Sequence, residues 1–221
     1  MKNNITEIVC ILDKSGSMAG YETDTVGGFN ATLAEQKELD GKALISTVLF
    51  SNESRVIHDR VDVKTVEPMS EKDFRVGGCT ALLDAIGGAI RHISKVHTYI
   101  RPEDVPEHTV FVIMTDGFEN ASHRYSSDEV KAMIKEKEAI GWEFIFLAAN
   151  IDAVETASRI GIRSDRAANF SQDGEGFAMS YAAANCAIRT LRCDLSIEES
   201  GWRNELDKIE KKPKKKTDTN D

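Results

Sequence analysis

The chain has 221 residues, of which 41% are hydrophobic, and its formal net charge is −9. A chain of this length can bury one sizeable core, so we expect one domain. No apolar run approaches the roughly 20 residues that span a bilayer, and the amino terminus lacks a signal-peptide core. The acidic balance disfavours contact with nucleic-acid phosphates. These features argue against a membrane protein and against a specific nucleic-acid binder. They predict a cytoplasmic protein.

The first predicted strand, over residues 8–12, leads into the loop Asp13-Lys14-Ser15-Gly16-Ser17. Acidic and hydroxyl groups recur there at every second residue, so in an extended loop Asp13, Ser15 and Ser17 point to one side. A row of oxygen donors suits Mg2+ better than zinc or copper. The loop therefore predicts a metal-dependent site.

A helix and a hairpin are predicted next. Apolar residues at helical spacing continue to about Leu39, where Asp40-Gly41 ends the helix. Predicted strands over residues 43–50 and 55–63 then flank a polar turn that is short enough to require antiparallel neighbours.

Two later segments carry matching oxygen donors. Thr80 precedes a stretch with the apolar spacing of one helix face, and we expect it in the first turn of that helix. The run over residues 109–114 reads as a fully buried strand that ends at Asp116. Open α/β sheets bind ligands outside the carboxyl ends of their strands, where the strand order reverses. The candidate metal ligands predicted to converge there are Asp13, Ser15, Ser17, Thr80 and Asp116.

The remaining elements continue to alternate, as in a wound α/β domain. Ser126 and Glu129 have the spacing of a capping box and start a helix. The elements predicted after it are a strand over residues 142–147, a short helix over 152–160, a strand over 167–170 and a long final helix.

The carboxyl-terminal part is predicted to form two further segments. Residues 194–207 are expected to be a short amphipathic extension that folds back on the domain. Residues 208–221 hold six lysines, and such a charge run is expected to be disordered. The predicted organisation is a domain over residues 1–193, the extension and the lysine-rich tail.

The three oxygen-bearing motifs resemble those of von Willebrand factor A-type domains, which carry a metal-ion-dependent adhesion site. That family has Asp-x-Ser-x-Ser after its first strand, a distant Thr and an Asp after its fourth strand, and all five positions are matched here. The neighbouring residues look like the bacterial, intracellular branch of the family. The resemblance covers roughly residues 5–193. It implies a three-layer, Rossmann-like α/β fold with a mostly parallel central sheet, one antiparallel edge strand and helices on both faces.

The resemblance also implies a protein-interaction module. In the family the hydroxyls usually bind the ion directly and the aspartates often act through water, which leaves a position for a carboxylate from another protein. We expect Mg2+ as the ion, although Mn2+ and Ca2+ also accept oxygen ligands. The expected partner is a protein that supplies an Asp or Glu to a monomeric, non-enzymatic module. Candidates for the contact rim are Met18, Tyr21, Phe118 and Asn120.

Enzymatic interpretations remain open as alternatives. Asp13 also fits the nucleophile of a Mg2+-dependent phosphohydrolase. Such enzymes usually need a second carboxylate two residues later, and Ser15 stands there, a residue that is too weak an acid or base for this role. A Ser-His-Asp triad is disfavoured because the chain has no Gly-x-Ser-x-Gly elbow, and the five histidines are expected at surface or loop positions.

The four cysteines, Cys10, Cys79, Cys186 and Cys193, contain no Cys-x-x-Cys pair. We interpret all four as reduced and structural, which fits a cytoplasmic protein.

Overall fold

The structure is a computed structural model that describes residues 4–210. The strands of this part are β1 (Ile5–Asp13), β2 (Lys42–Phe50), β3 (Ser54–Asp62), β4 (His108–Thr115), β5 (Trp142–Ala148) and β6 (Ala167–Asn169). Its α-helices are α1 (Glu22–Glu38), α2 (Leu82–Tyr99), α3 (Ser127–Glu138), α4 (Ala153–Arg159), α5 (Gly174–Arg192), α6 (Ile197–Ser200) and α7 (Asn204–Glu210). Each strand and helix predicted before residue 194 is present.

The strands form one sheet in the order β3-β2-β1-β4-β5-β6. All neighbouring strands are parallel except β2 and β3, which pair antiparallel and place β3 at an edge. The chain adds strands on one side of β1 and then, from β4 onward, on the other side. The strand order therefore reverses between β1 and β4, which is where open α/β sheets bind ligands.

Strand β1 is buried on both faces, as parallel strands covered by helices are. Its alternate residues divide between two cores: Ile8 belongs to one and Val9 to the other. Helices α1 and α5 cover the first core, whereas α2, α3 and α4 cover the second. This three-layer arrangement confirms the predicted fold class.

A long segment without helix or strand connects β3 to α2. Val66, Met69 and Phe74 fasten it to the first core, with exposed fractions of 4% or less. Asn30 of α1 completes the attachment, because its amide donates to the Met69 carbonyl oxygen and its Oδ1 accepts from the Met69 amide, each at 2.8 Å. The segment is therefore fixed on both sides of its charged residues 71–73.

The carboxyl-terminal helices α6 and α7 pack on the α1–α5 side of the sheet. Ile197, Trp202 and Leu206 are buried in the first core. Residues 208–210 are the last residues of α7, and the rest of the predicted lysine-rich tail lies outside the described residues. Among the helices of residues 4–210, none is both long and apolar enough to cross a membrane.

Candidate metal centre

The first and third motifs meet at the carboxyl ends of two neighbouring strands. Asp13 is the last residue of β1, and Asp116 directly follows β4. Ser15 and Ser17 lie in the loop after β1, where Gly16–Met18 forms a single 3-10 turn. Because β1 and β4 pair in register up to Leu12 and Met114, the two loops leave the sheet side by side.

Hydrogen bonds connect four of the five predicted ligands. The Ser15 amide donates to Asp13 Oδ1 at 2.7 Å. The hydroxyl oxygens of Ser15 and Ser17 lie 3.1 Å apart, and the Ser17 hydroxyl donates to Asp116 Oδ1 at 2.6 Å. The structure therefore brings residues 99 positions apart in the sequence into one oxygen cluster.

Thr80 joins this cluster from the loop before α2. A β-carbon built on Gly117 would lie 3.4 Å from Thr80 Oγ1 and 3.5 Å from Ser17 Oγ, so both hydroxyls face the same point. The prediction that Thr80 lies in the first turn of the helix was wrong, because α2 begins at Leu82. Two hydrogen bonds to Asn120 account for this placement. The Asn120 Oδ1 accepts from the Thr80 main-chain amide at 2.9 Å, and the Asn120 main-chain amide donates to the Thr80 carbonyl oxygen at 3.0 Å.

Main-chain hydrogen bonds hold the loops of the oxygen cluster together. The Gly16 amide donates to the Gly78 carbonyl oxygen, and the Gly77 amide donates to the Lys14 carbonyl oxygen, both at 2.9 Å. Gly78 has a φ of +87°, and a β-carbon there would overlap the side chain of Asn52. Glycine is required at this position because it alone tolerates both the left-handed backbone and the close approach.

Both carboxylates of the cluster are buried. Asp13 is 1% exposed and Asp116 is 2% exposed. Burial raises the pKa of each group, and the hydrogen bonds that each carboxylate accepts oppose this shift. Two buried acids with raised pKa values in one cluster make it a candidate functional site. A divalent cation between them would supply the positive charge that the cluster itself lacks.

Two supporting residues were not identified in the sequence. The Thr115 hydroxyl donates to Asp13 Oδ2 at 2.6 Å. The Gln172 amide donates to Asp116 Oδ2 at 2.5 Å and lies 3.3 Å from the Ser17 carbonyl oxygen, while Asn150 donates to Gln172 Oε1. Thr115 could have been identified, because it directly precedes Asp116 in the sequence. Nothing in the sequence indicates a contact between Asp116 and Gln172.

Glu119 and Asp84 fix the loop after β4 to the start of α2. The Glu119 carboxylate accepts from the Leu83 amide at 2.9 Å and from the Ser122 amide at 2.7 Å. The Asp84 carboxylate accepts from the Tyr125 amide at 3.0 Å. These contacts place Asn120, and through it Thr80, at the oxygen cluster.

The predicted contact rim is only partly present. Phe118 is 62% exposed next to the cluster, as a rim residue should be. Met18 is 4% exposed and belongs to the core, so its assignment to the rim was wrong. Tyr21 is half-buried against Phe177, with ring centroids 5.2 Å apart. Asn120 is exposed, as a rim residue should be, and it also holds Thr80 through two hydrogen bonds.

The expectation that the histidines lie at surface or loop positions was only partly met, whereas the cysteines are free, as expected of reduced thiols. His58 and His97 are half-buried in β3 and α2, whereas His92 and His123 are exposed. All four cysteines are free; Cys10 is buried, but Cys79 and Cys193 are exposed.

Comparisons with known proteins support the fold. No protein-family profile matches the sequence, and no curated protein resembles it in sequence. Many solved structures resemble the chain in fold, and three of them illustrate the likeness. The von Willebrand factor type A protein from Catenulispora acidiphila has a TM-score of 0.56 and 16% identity over 85% of this chain and 42% of that one.

The other two come from a mussel and from Sulfolobus acidocaldarius. Proximal thread matrix protein 1 from the mussel byssus, with a zinc-occupied MIDAS motif, has a TM-score of 0.54 and 12% identity over 81% of this chain and 44% of that one. The ArnB paralog VWA2 from Sulfolobus acidocaldarius has a TM-score of 0.50 and 17% identity over 89% of this chain and 46% of that one. The chain spans less than half the length of these proteins, and its fold is that of von Willebrand factor A-type domains.

Proposed function

We propose that this von Willebrand factor A-type fold serves as a metal-dependent protein-interaction module. In this proposal Asp13, Ser15, Ser17, Thr80 and Asp116 hold a divalent cation. The observation that carries it is the convergence of three hydroxyls and two buried carboxylates where the strand order reverses. The mussel protein of the same fold supports it, because its MIDAS motif is occupied by zinc.

The donor set fits a hard divalent cation. The two carboxylates balance its two charges, the hydroxyls are neutral oxygen donors, and Mg2+ prefers such ligands. Mn2+ and Ca2+ are the other ions that this set would accept. Ser17 is exposed while the other four residues are buried, so the cluster has one side that faces solvent. Once bound, the ion supplies a Lewis-acidic position for an Asp or Glu of a partner protein.

The geometry does not favour the phosphohydrolase alternative. A nucleophilic carboxylate needs an oxygen that can reach a phosphorus atom. Both oxygens of Asp13 already accept short hydrogen bonds, from the Ser15 amide and the Thr115 hydroxyl, and the residue is 1% exposed. We therefore propose binding rather than catalysis, by a monomeric protein of the cytoplasm.

Calorimetric titration with MgCl2 and MnCl2 tests the metal site. Wild-type protein should bind one ion, whereas Asp116→Ala should not bind it. Asp40→Ala is the matched control, because Asp40 is exposed and distant in the fold from the cluster. Equal metal binding by Asp116→Ala and wild type would contradict the assignment of the ligands.

Affinity capture from extract of the source organism tests the interaction. The wild type should retain a specific protein when Mg2+ is present and lose it when a chelator is added. Asp116→Ala should fail to retain that protein, and Asp40→Ala should retain it. Retention that survives both chelation and Asp116→Ala would reject a metal-bridged contact.

A further inference from the structure

A cationic groove lies beside the oxygen cluster, between the β2–β3 turn and residues 72–75. Its volume is about 580 Å3. The charged residues that line it are Lys14, Arg55, Lys72, Arg75, Glu53 and Asp73. Four cations against two carboxylates form an unusual surface in a chain whose net charge is −9.

The four cations of the groove form no close ion pair with a described residue. Among residues 4–210, none of the four lies within 4.0 Å of a carboxylate oxygen. Arg55, Lys72 and Arg75 are exposed, and Lys14 Nζ donates to the neutral Ser51 hydroxyl at 3.2 Å. These positive charges are therefore available to an anionic ligand.

The two carboxylates of the groove offset only part of its positive charge. Asp73 Oδ2 accepts from the Ser70 hydroxyl at 2.6 Å and from the Ser70 amide at 3.1 Å, and these bonds, together with the charge of Arg55, lower the pKa of Asp73. Glu53 is exposed in the β2–β3 turn and makes no ion pair with a described residue. The groove thus keeps a positive surface.

The groove is continuous with the predicted metal loops. Lys14 belongs to both, since it stands between Asp13 and Ser15 in the sequence. The turn that forms one wall is attached to the loop of Thr80: the Ala81 amide donates to the Ser51 carbonyl oxygen at 2.8 Å. The other wall is fixed by Phe74, which is 1% exposed between the groove-lining residues Asp73 and Arg75.

We propose that this groove binds an acidic segment of the partner protein, adjacent to the residue whose carboxylate reaches the metal. The inference rests on the proposed function, because it takes the metal contact as the anchor. Carboxylates of the segment pair with Arg55, Lys72 and Arg75. Complementary charge of this kind steers association and selects among partners. Acidic residues near the anchoring Asp or Glu are thus what distinguishes the right partner.

Fluorescence anisotropy with two labelled peptides tests this proposal at low ionic strength in Mg2+. One peptide has a single Asp followed by a run of Glu, and the other has the same Asp followed by Gln. Wild type should bind the acidic peptide about tenfold more tightly, which is the combined effect expected of three exposed ion pairs. The triple variant Arg55→Gln/Lys72→Gln/Arg75→Gln should lose this preference.

A second triple variant controls for net charge. Arg91→Gln/Lys95→Gln/Lys135→Gln removes three exposed cations from α2 and α3, away from the groove, and should keep the preference. The variant Arg55→Gln/Lys72→Gln/Arg75→Gln is called the groove variant. If the groove variant also keeps the preference for the acidic peptide, or if wild type does not bind that peptide, the proposal is overturned. Inorganic phosphate that binds the groove more tightly than the peptide would also overturn it, because the anion recognised would then be phosphate.

The Gln-containing peptide separates this inference from the proposed function. It reports the metal contact alone, so a chelator should abolish its binding whether or not the groove is intact. Binding that ignores the chelator contradicts the metal bridge. A chelator-sensitive contact with equal affinity for both peptides contradicts only the groove. Titration of the groove variant with MgCl2 should give wild-type metal affinity.

Discussion

The hydrogen bond from Thr115 to Asp13 gives a prediction that can be worked out from the structure. The Thr115 hydroxyl donates to Asp13 Oδ2 at 2.6 Å, and both residues are 1% exposed. Thr115→Val keeps the shape of the side chain but removes this donor. The two contacts of the same hydroxyl with Gly117 are 3.3 Å long and contribute less.

The expected cost follows from the charge of the acceptor. A hydrogen bond to an ionised group contributes about 1.5–3 kcal/mol to stability. For a protein of this size each kcal/mol changes Tm by about 2–4 °C. We therefore expect Thr115→Val to lower the free energy of unfolding by about 2 kcal/mol and Tm by about 4–8 °C.

The loss should depend on pH in a defined direction. The bond favours the ionised form of Asp13, so Thr115→Val raises the pKa of Asp13 in the folded state beyond the increase that burial already causes. The destabilisation is then fully present above that folded pKa, and it shrinks as the pH falls through it. A penalty that stays constant down to about pH 4 would show that Asp13 does not titrate in this range, and it would contradict a pKa raised by burial.

Urea unfolding of the metal-free protein, followed by circular dichroism, measures the effect. Thr25→Val is the matched control: Thr25 is 2% exposed, and its hydroxyl has no hydrogen-bond partner among the described residues. We expect this control not to destabilise the protein, because it replaces a buried hydroxyl that has no hydrogen-bond partner with a methyl group. Equal losses in the two variants would refute the role given to the Thr115 hydroxyl.

Two further predictions concern the metal and the packing of α1 on α5. At a free Mg2+ concentration about 100-fold above Kd, thermal denaturation should show about 2.7 kcal/mol of added stability. That gain should shrink as the pH falls, because burial raises the pKa values of Asp13 and Asp116 and protons then compete with the ion; a gain independent of pH would argue against these ligands. Gly28→Ala should destabilise by about 1–3 kcal/mol because its β-carbon would overlap the Tyr181 ring. A β-carbon at the neighbouring Gly27 would have no atom within 4 Å, so Gly27→Ala should raise the free energy of unfolding by about 0.5–1 kcal/mol, as Gly to Ala does in a helix. Equal effects of the two substitutions in chemical denaturation would contradict this packing.

The sequence predicted the sheet well because its strands are strongly patterned. Residues 8–12 of β1 and 110–114 of β4 are unbroken apolar runs, which indicate strands buried on both faces. The order of the motifs along the chain then placed Asp13 and Asp116 at the same edge of the sheet. Backbone geometry alone therefore accounts for most of the oxygen cluster.

Contacts distant in the sequence could not be predicted in this way. Gln172 reaches Asp116 across 56 positions through a loop whose path depends on the packing of α5. The burial of Met18 likewise follows from the 3-10 turn that directs its side chain into the core. The sequence does not indicate the cationic groove, because its four cations lie far apart in the chain among acidic neighbours and share a surface only after folding. These cations are Lys14, Arg55, Lys72 and Arg75.

The frame of main-chain hydrogen bonds around the oxygen cluster has a consequence for how such proteins diversify. Gly16, Gly77 and Asn120 connect the loops through amides and carbonyls that substitutions at outward positions leave in place. Exposed residues such as Phe118 and Lys72 can therefore be exchanged without moving the five oxygen donors. Under the proposed function, chains that share this frame would acquire new docking proteins by changing a handful of surface side chains, and variation at those positions should sort them by the proteins they recruit.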